Sequence, residues 1–214
     1  KRLLAGRGTF TGDVVLPRQT HVAFLRSPYA HAEIISIDVS AVKKSAGVVA
    51  VVTGVEMAEV CSPWVGVLSH LEGLKSAPQH ALAVKKASWQ GEPVVAVVAN
   101  TRAQAEDAIE LIHVDWKELP VVTDMKTALD EDTPLIHPEL GDNLSWQRDL
   151  NVGDVDVAFA KADHVIEETY ISNRHTGVCL ETRCIVADYN PGEDQLTVYQ
   201  ATQTPHMMQN LFAK

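Results

Sequence analysis

At 214 residues the chain is long enough to bury a core in one large or two small domains, and its 46% hydrophobic content belongs to a globular protein. A formal net charge of −10, with no basic run longer than Lys43-Lys44 or Lys85-Lys86, leaves no surface suited to gripping phosphates and so excludes nucleic acid as a partner. No apolar run approaches the roughly 20 residues that span a bilayer, and the opening residues lack a secretory pattern, so a soluble, cytoplasmic protein with no membrane span is expected.

In chain order, residues 21–27 read as a short strand and residues 32–37 precede a helical turn at 38–44. Asp38 or Ser40 can cap that turn, and Gly47 closes it before a strand at 48–53. Residues 62–83, broken by Pro63, Gly66, Gly73 and Pro78, read as a surface loop in which His70 and His80 are solvated. Residues 94–99 form a continuous apolar run of the kind buried on both faces of a sheet. A helix follows, capped by Asn100 or Thr101, with Ala105, Ala108, Ile109 and Ile112 as its apolar face. In Gly91-Glu92-Pro93, Gly permits a tight turn and Pro removes a strand donor, and Glu92 is expected to stay wet or paired rather than act as a base.

Residues 113–116 return as a strand ended by Pro120, and the acid-, Pro- and Gly-rich stretch 124–143 reads as a linker. Asp154 caps a short helix with Val155, Ala158 and Phe159 facing inward, and residues 164–171 read as a strand. Cys61, Cys179 and Cys184 are odd in number and widely spaced, which fits buried reduced thiols and neither a disulfide framework nor a zinc site.

Two strand-like segments, 183–190 and 195–202, flank the turn-forming Pro191-Gly192-Glu193-Asp194, so a hairpin is the simplest fold. Its ends carry His175-Thr176-Gly177-Val178-Cys179-Leu180-Glu181-Thr182-Arg183 on one side and Gln200-Ala201-Thr202-Gln203-Thr204-Pro205-His206 on the other. Residues held at strand ends by a rigid hairpin are well placed to meet a ligand. The last eight residues read as a helix cut off in mid-course, and both chain ends suggest a fragment.

The run ending Leu-Glu-Thr-Arg, the hairpin and the Thr-Gln-x-Pro-His that follows resemble the first molybdenum-binding segment of the xanthine dehydrogenase, aldehyde oxidase and carbon monoxide dehydrogenase large-subunit family. Upstream, Gly6-Arg7-Gly8-Thr9-Phe10-Thr11-Gly12-Asp13, Leu25-Arg26-Ser27-Pro28-Tyr29-Ala30-His31-Ala32 and Gly91-Glu92-Pro93-Val94-Val95-Ala96-Val97-Val98-Ala99 resemble that family's a/b hammerhead domain in the same order. The resemblance implies an α+β fold: a hammerhead domain over 1–125, a linker over 126–144 and, over 145–214, the β-rich start of a molybdopterin-binding domain. It implies that Gln203 contacts an oxo ligand of the molybdenum centre, a task for which a neutral amide is suited because it donates without adding charge.

The implied activity is that of a molybdopterin-dependent oxidoreductase, oxidising an aldehyde, an N-heterocycle or carbon monoxide with water-derived oxygen; broad aldehyde oxidation is the first expectation. The implied cofactors are molybdenum-molybdopterin in the full-length enzyme, with iron–sulfur clusters and FAD on other domains or subunits. Partners are the remainder of the large subunit, those domains or subunits, and a small-molecule substrate. With three cysteines the chain cannot hold two clusters of four ligands each, and the catalytic base is expected outside it, Glu181 not being promoted to that role. The isolated chain is therefore expected to be inactive, and the competing reading is a non-catalytic scaffold or separate structural subunit of such a complex.

Overall fold

The computed structural model describes residues 1–66, 68 and 70–213. Val67 and Ser69, inside the expected loop 62–83, and Lys214, at the end of the expected terminal helix, lie outside the described residues. The chain divides into two compact units, a larger one of Gln19–Arg148 and a smaller one that joins Lys1–Arg18 to Asp149–Lys214.

The larger unit contains β1 (His21–Arg26), β2 (Ala32–Asp38), β3 (Val48–Thr53), α1 (Gly54–Val60), β4 (Lys86–Ala87), β5 (Pro93–Ala99), α2 (Arg102–Ile109) and β6 (His113–Glu118). One antiparallel sheet has the order β1-β5-β3 and a second the order β4-β2-β6. The apolar run of β5 lies at the centre of the first sheet, with Val97 opposite both Ala23 and Val51. Val94, Val95 and Val97 are fully buried, and Ile34, Ile37 and Trp116 from the second sheet pack against the same cluster.

Thr101 is the cap of α2, its hydroxyl accepting the Gln104 N–H at 3.2 Å, and Ala105 and Ala108 are buried as the helical spacing requires. The turn at Val42–Lys44 follows an Asp38 carboxylate that accepts the Ser40 N–H at 2.8 Å. Two elements carry no expectation from the sequence. Helix α1 begins with a capping box, Thr53 accepting from the Glu56 N–H and Glu56 accepting from the Thr53 N–H at 2.8 Å, a Thr-x-x-Glu signal that was readable. Strand β4 is only two residues long and exists because β2 offers it an edge. The 62–83 region does run outside regular structure, apart from an isolated bridge between Trp64 and Gln79.

In the smaller unit, α3 (Val155–Ala160) is capped by Asp154, whose carboxylate accepts the Val157 N–H at 3.0 Å. β7 (Ile185–Asn190) and β8 (Gln195–Gln200) form the expected antiparallel hairpin, and α4 (Pro205–Phe212) follows. Its four-residue turn is held by the Asn190 side chain, which accepts the Gly192 N–H at 3.0 Å, and by Tyr189, whose hydroxyl donates to Asp194 at 2.7 Å.

Three expectations are corrected. Residues 164–171 form no strand: a strand needs a neighbour to complete its ladder, none of the described residues supplies one, and Ile166 and Tyr170 are left 84% and 90% exposed. Val155 and Phe159 are exposed on α3 rather than inward, because no described element of the unit covers that face. Cys61 and Cys179 are exposed thiols rather than buried ones, each in a stretch with nothing packed over it, and Cys184 is half-buried.

The two compact units are a division by contact, distinct from the sequence division into 1–125, 126–144 and 145–214. Residues 1–18 belong with the C-terminal segment because the Thr11 N–H donates to Glu181 Oε1 at 2.9 Å. Residues 126–144 belong with the larger unit, to which Lys75 with Asp142 and Lys86 with the Ile136 carbonyl tie them.

Limited trypsin digestion should therefore cut first at Lys161, Arg174 or Arg183, all in exposed irregular chain of the smaller unit, and last within 94–109. Mass mapping of the earliest fragments checks this, and an early cut at Arg102 would contradict the assignment of β5 and α2 as the core.

Candidate functional site

The hairpin brings its two ends together, since Ile185 pairs with Gln200. Beyond β8 the chain bends at Gln203, stabilised by the Thr202 hydroxyl accepting the Thr204 N–H at 3.1 Å, and enters α4 with Pro205 in its first turn. Gln203 is exposed. Its side chain has no hydrogen-bond partner among the described residues, so both the donor and acceptor of its amide remain available.

Glu181 lies in the irregular chain leading into β7 and is half-buried. Its carboxylate accepts the Thr11 N–H, so it anchors backbone rather than standing ready for proton transfer. His175 Nδ1 lies 3.4 Å from the Asn173 carbonyl, a local contact. Among the described residues no three His, Cys, Asp or Glu side chains come together as a possible metal-ligating group. Between β8 and α4 runs an apolar groove of about 360 Å³ lined by Leu196, Val198, Met208 and Phe212, with Thr202 and Pro205 at the Gln203 bend.

The second concentration of polar groups lies wholly in the larger unit. A cavity of about 500 Å³ is lined by Lys85, Lys86, Trp89, Glu92, His137 and Glu139, among others. Gly91 adopts a φ of 92°, a left-handed conformation that glycine tolerates, and the turn it makes carries Glu92 into this cavity. Glu92 Oε2 accepts the Ser88 N–H at 2.6 Å. Burial pushes the Glu92 carboxyl above the usual glutamate range, opposed by the Ser88 N–H and by the charges of His137 and Lys86. Glu139 is held low, by its own backbone N–H first and then by His137, whose Nδ1 stands 3.2 Å from it. Of the two states expected for Glu92, wet or paired, the structure shows the paired one, half-buried. Nothing in the sequence joined it to Lys86, His137 and Glu139, because residues 137–139 come from a stretch without periodicity.

A family model described as "Aldehyde oxidase and xanthine dehydrogenase, a/b hammerhead domain" matches residues 5–120. One described as "Molybdopterin cofactor-binding domain" matches residues 136–214. The large subunit of nicotine 6-hydroxylase from Paenarthrobacter nicotinovorans is 38% identical over 96% of the chain, which covers 25% of that protein. The carbon monoxide dehydrogenase large chain of Afipia carboxidovorans is 32% identical over 98% of the chain, with 27% of its own length covered. Among solved structures, quinoline 2-oxidoreductase from Pseudomonas putida 86 superposes with a TM-score of 0.90 at 37% identity, over 99% of this chain and 27% of that one. The chain thus spans about a quarter of the length of these relatives. No helix among the described residues is long and apolar enough to cross a membrane.

The raised Glu92 carboxyl has a consequence for stability. A carboxyl whose folded value lies above its unfolded one favours folding below the unfolded value, near 4.5, and loses that contribution as pH rises through the folded value. Glu92→Gln, which keeps a carbonyl for the Ser88 N–H, should unfold at higher temperature than the parent at pH 7. The advantage should vanish below about pH 4. Thermal melts at the two pH values check both halves.

Proposed function

Because the chain belongs to the aldehyde oxidase and xanthine dehydrogenase family, we propose that it is the N-terminal part of the large subunit of a molybdenum hydroxylase. The observation that carries the reading is the ordered match of hammerhead and molybdopterin-domain models along nearly the whole chain. Within it, the hammerhead part covers 1–125, a connecting stretch 126–144 and the start of the cofactor domain 145–214. Two relatives are named for the N-heterocycles nicotine and quinoline, and this favours an N-heterocycle over an aldehyde or carbon monoxide as the substrate class. Water supplies the oxygen, and electrons leave through iron–sulfur clusters and FAD on other domains or subunits. Free thiols at all three cysteines suit a reducing compartment, and a cytoplasmic location is part of the proposal.

The residues present fit the molybdenum cofactor at one point. When bound, that cofactor supplies oxygen transfer and accepts the substrate's two electrons. Gln203 offers an unpartnered, uncharged N–H donor at the end of a hydrogen-bonded hairpin, which suits orienting an oxygen acceptor without altering the local charge. The β7–β8 ladder ends at Gln200, and the bend at Thr202 to Thr204 carries Gln203 and directs the chain into α4. One hydrogen bond contributes only about 0.5–1.5 kcal/mol, so Gln203 orients and does not retain the cofactor. Retention, the base and the substrate channel fall to the remainder of the large subunit, and the isolated chain is inert.

In the complete enzyme Gln203→Ala should lower turnover by about 10- to 100-fold with iron–sulfur content unchanged. Gln203→Glu should be at least as harmful, since it places a negative charge beside the acceptor. Steady-state kinetics with N-heterocycles, aldehydes and carbon monoxide, alongside metal analysis, tests both the role and the substrate class. Undiminished turnover of the Ala variant removes Gln203 from the site; full activity or stoichiometric molybdenum in the isolated chain overturns the fragment reading.

A further inference from the structure

The cavity of the larger unit has no part in the function proposed above, yet its polar lining is unevenly committed. Lys86 gives its ammonium to the Ile136 carbonyl and stands 3.5 Å from His31 Nε2. Glu139 is occupied by His137, and Glu92 spends Oε2 on the Ser88 N–H. The Lys85 ammonium and the His80 ring have no partner among the described residues, whereas the Glu92 carboxylate also has the Trp89 N–H beside it. Trp89, 44% exposed, adds a flat apolar wall.

We propose that this cavity binds a small planar aromatic carboxylate, its anionic end facing Lys85 and His80 and its ring lying against Trp89. The uncommitted groups are donors in excess of acceptors, so an anion is the ligand that satisfies them. A cation would instead meet Lys85 and Lys86. Glu92 opposes an anion less than a free carboxylate would, because the Ser88 and Trp89 N–H groups already face its oxygens. Lys85 and Lys86, His80 and His137, and Glu139 are the other ionisable groups of the wall. A carboxylate on a flat ring fits a cavity of about 500 Å³ that is polar on one side and walled by an indole on another.

Titration of the chain with benzoate, using benzylammonium and benzyl alcohol as controls and tryptophan fluorescence as the signal, tests the assignment. Trp89→Phe identifies the responding indole among the four tryptophans. Benzoate should bind saturably and in preference to both controls. Lys85→Ala, a change at an exposed side chain, should weaken benzoate binding by about tenfold, the scale of one charge-assisted hydrogen bond, with the unfolding midpoint unchanged. Glu92→Gln, whose amide can accept from Ser88 and still donate, should bind benzoate at least as tightly as the parent. The proposal is overturned by unsaturable benzoate binding, by equal affinity for benzyl alcohol, or by an unaffected Lys85→Ala variant. It is equally overturned if benzylammonium binds preferentially and Glu92→Gln abolishes that binding.

Discussion

The larger unit depends on a strand that has no solvent side. β5 lies between β1 and β3, so its backbone donors and acceptors are taken on both edges, and its side chains are buried on both faces. A strand buried this completely accepts only small or β-branched apolar residues, and Val94, Val95, Ala96, Val97 and Ala99 are of that kind. It also restricts how the chain can arrive. Pro93 sits at its first position, where the pairing with β1 shifts register between Leu25 and Arg26. The preceding Gly91 turn has its N–H bonded to the Ser27 carbonyl, while the Ser27 N–H bonds to the Glu92 carbonyl. The half-burial of Glu92, and with it the raised carboxyl, is thus a by-product of delivering a fully enclosed strand.

What could be read from the sequence was what is locally encoded. β5 and α2 are visible because an unbroken apolar run passes through a Thr cap into helical spacing, and both signals lie within a few residues of one another. The hairpin is visible because Pro191 to Asp194 separates two alternating runs. Residues 164–171 carry the same alternation, but alternation reports only a preference for an edge; whether an edge is available is a property of the rest of the molecule. The opposite error has the same source. Lys86 and Ala87 have no strand pattern, yet β2 recruits them.

The candidate site shows this division sharply. Gln203 could be singled out by motif, and its position at a strand end by the hairpin pattern. That Glu181 is committed to Thr11 could not be foreseen, because the partners are 170 residues apart and neither has an apolar pattern pointing at the other. Among the described residues of the smaller unit, Val186 is the one buried hydrophobic side chain. The hairpin is therefore held mainly by ladder hydrogen bonds with little packing beneath it, and Gln203, beyond the end of β8, rests on the Thr202 to Thr204 bend.

The discontinuous make-up of the smaller unit also bears on how the protein is made. Thr11 emerges from the ribosome before the larger unit, but its acceptor Glu181 follows only after the whole of that unit has been translated. The larger unit is one continuous stretch and can fold as soon as β6 is complete. Once formed, it replaces about 130 residues of flexible chain between the two ends with a compact body, which lowers the entropic cost of closing that loop. Until then residues 1–18 lack the C-terminal segment they join in the finished fold, where Leu3 and Leu4 are exposed. A chaperone acting during synthesis would find its substrate there.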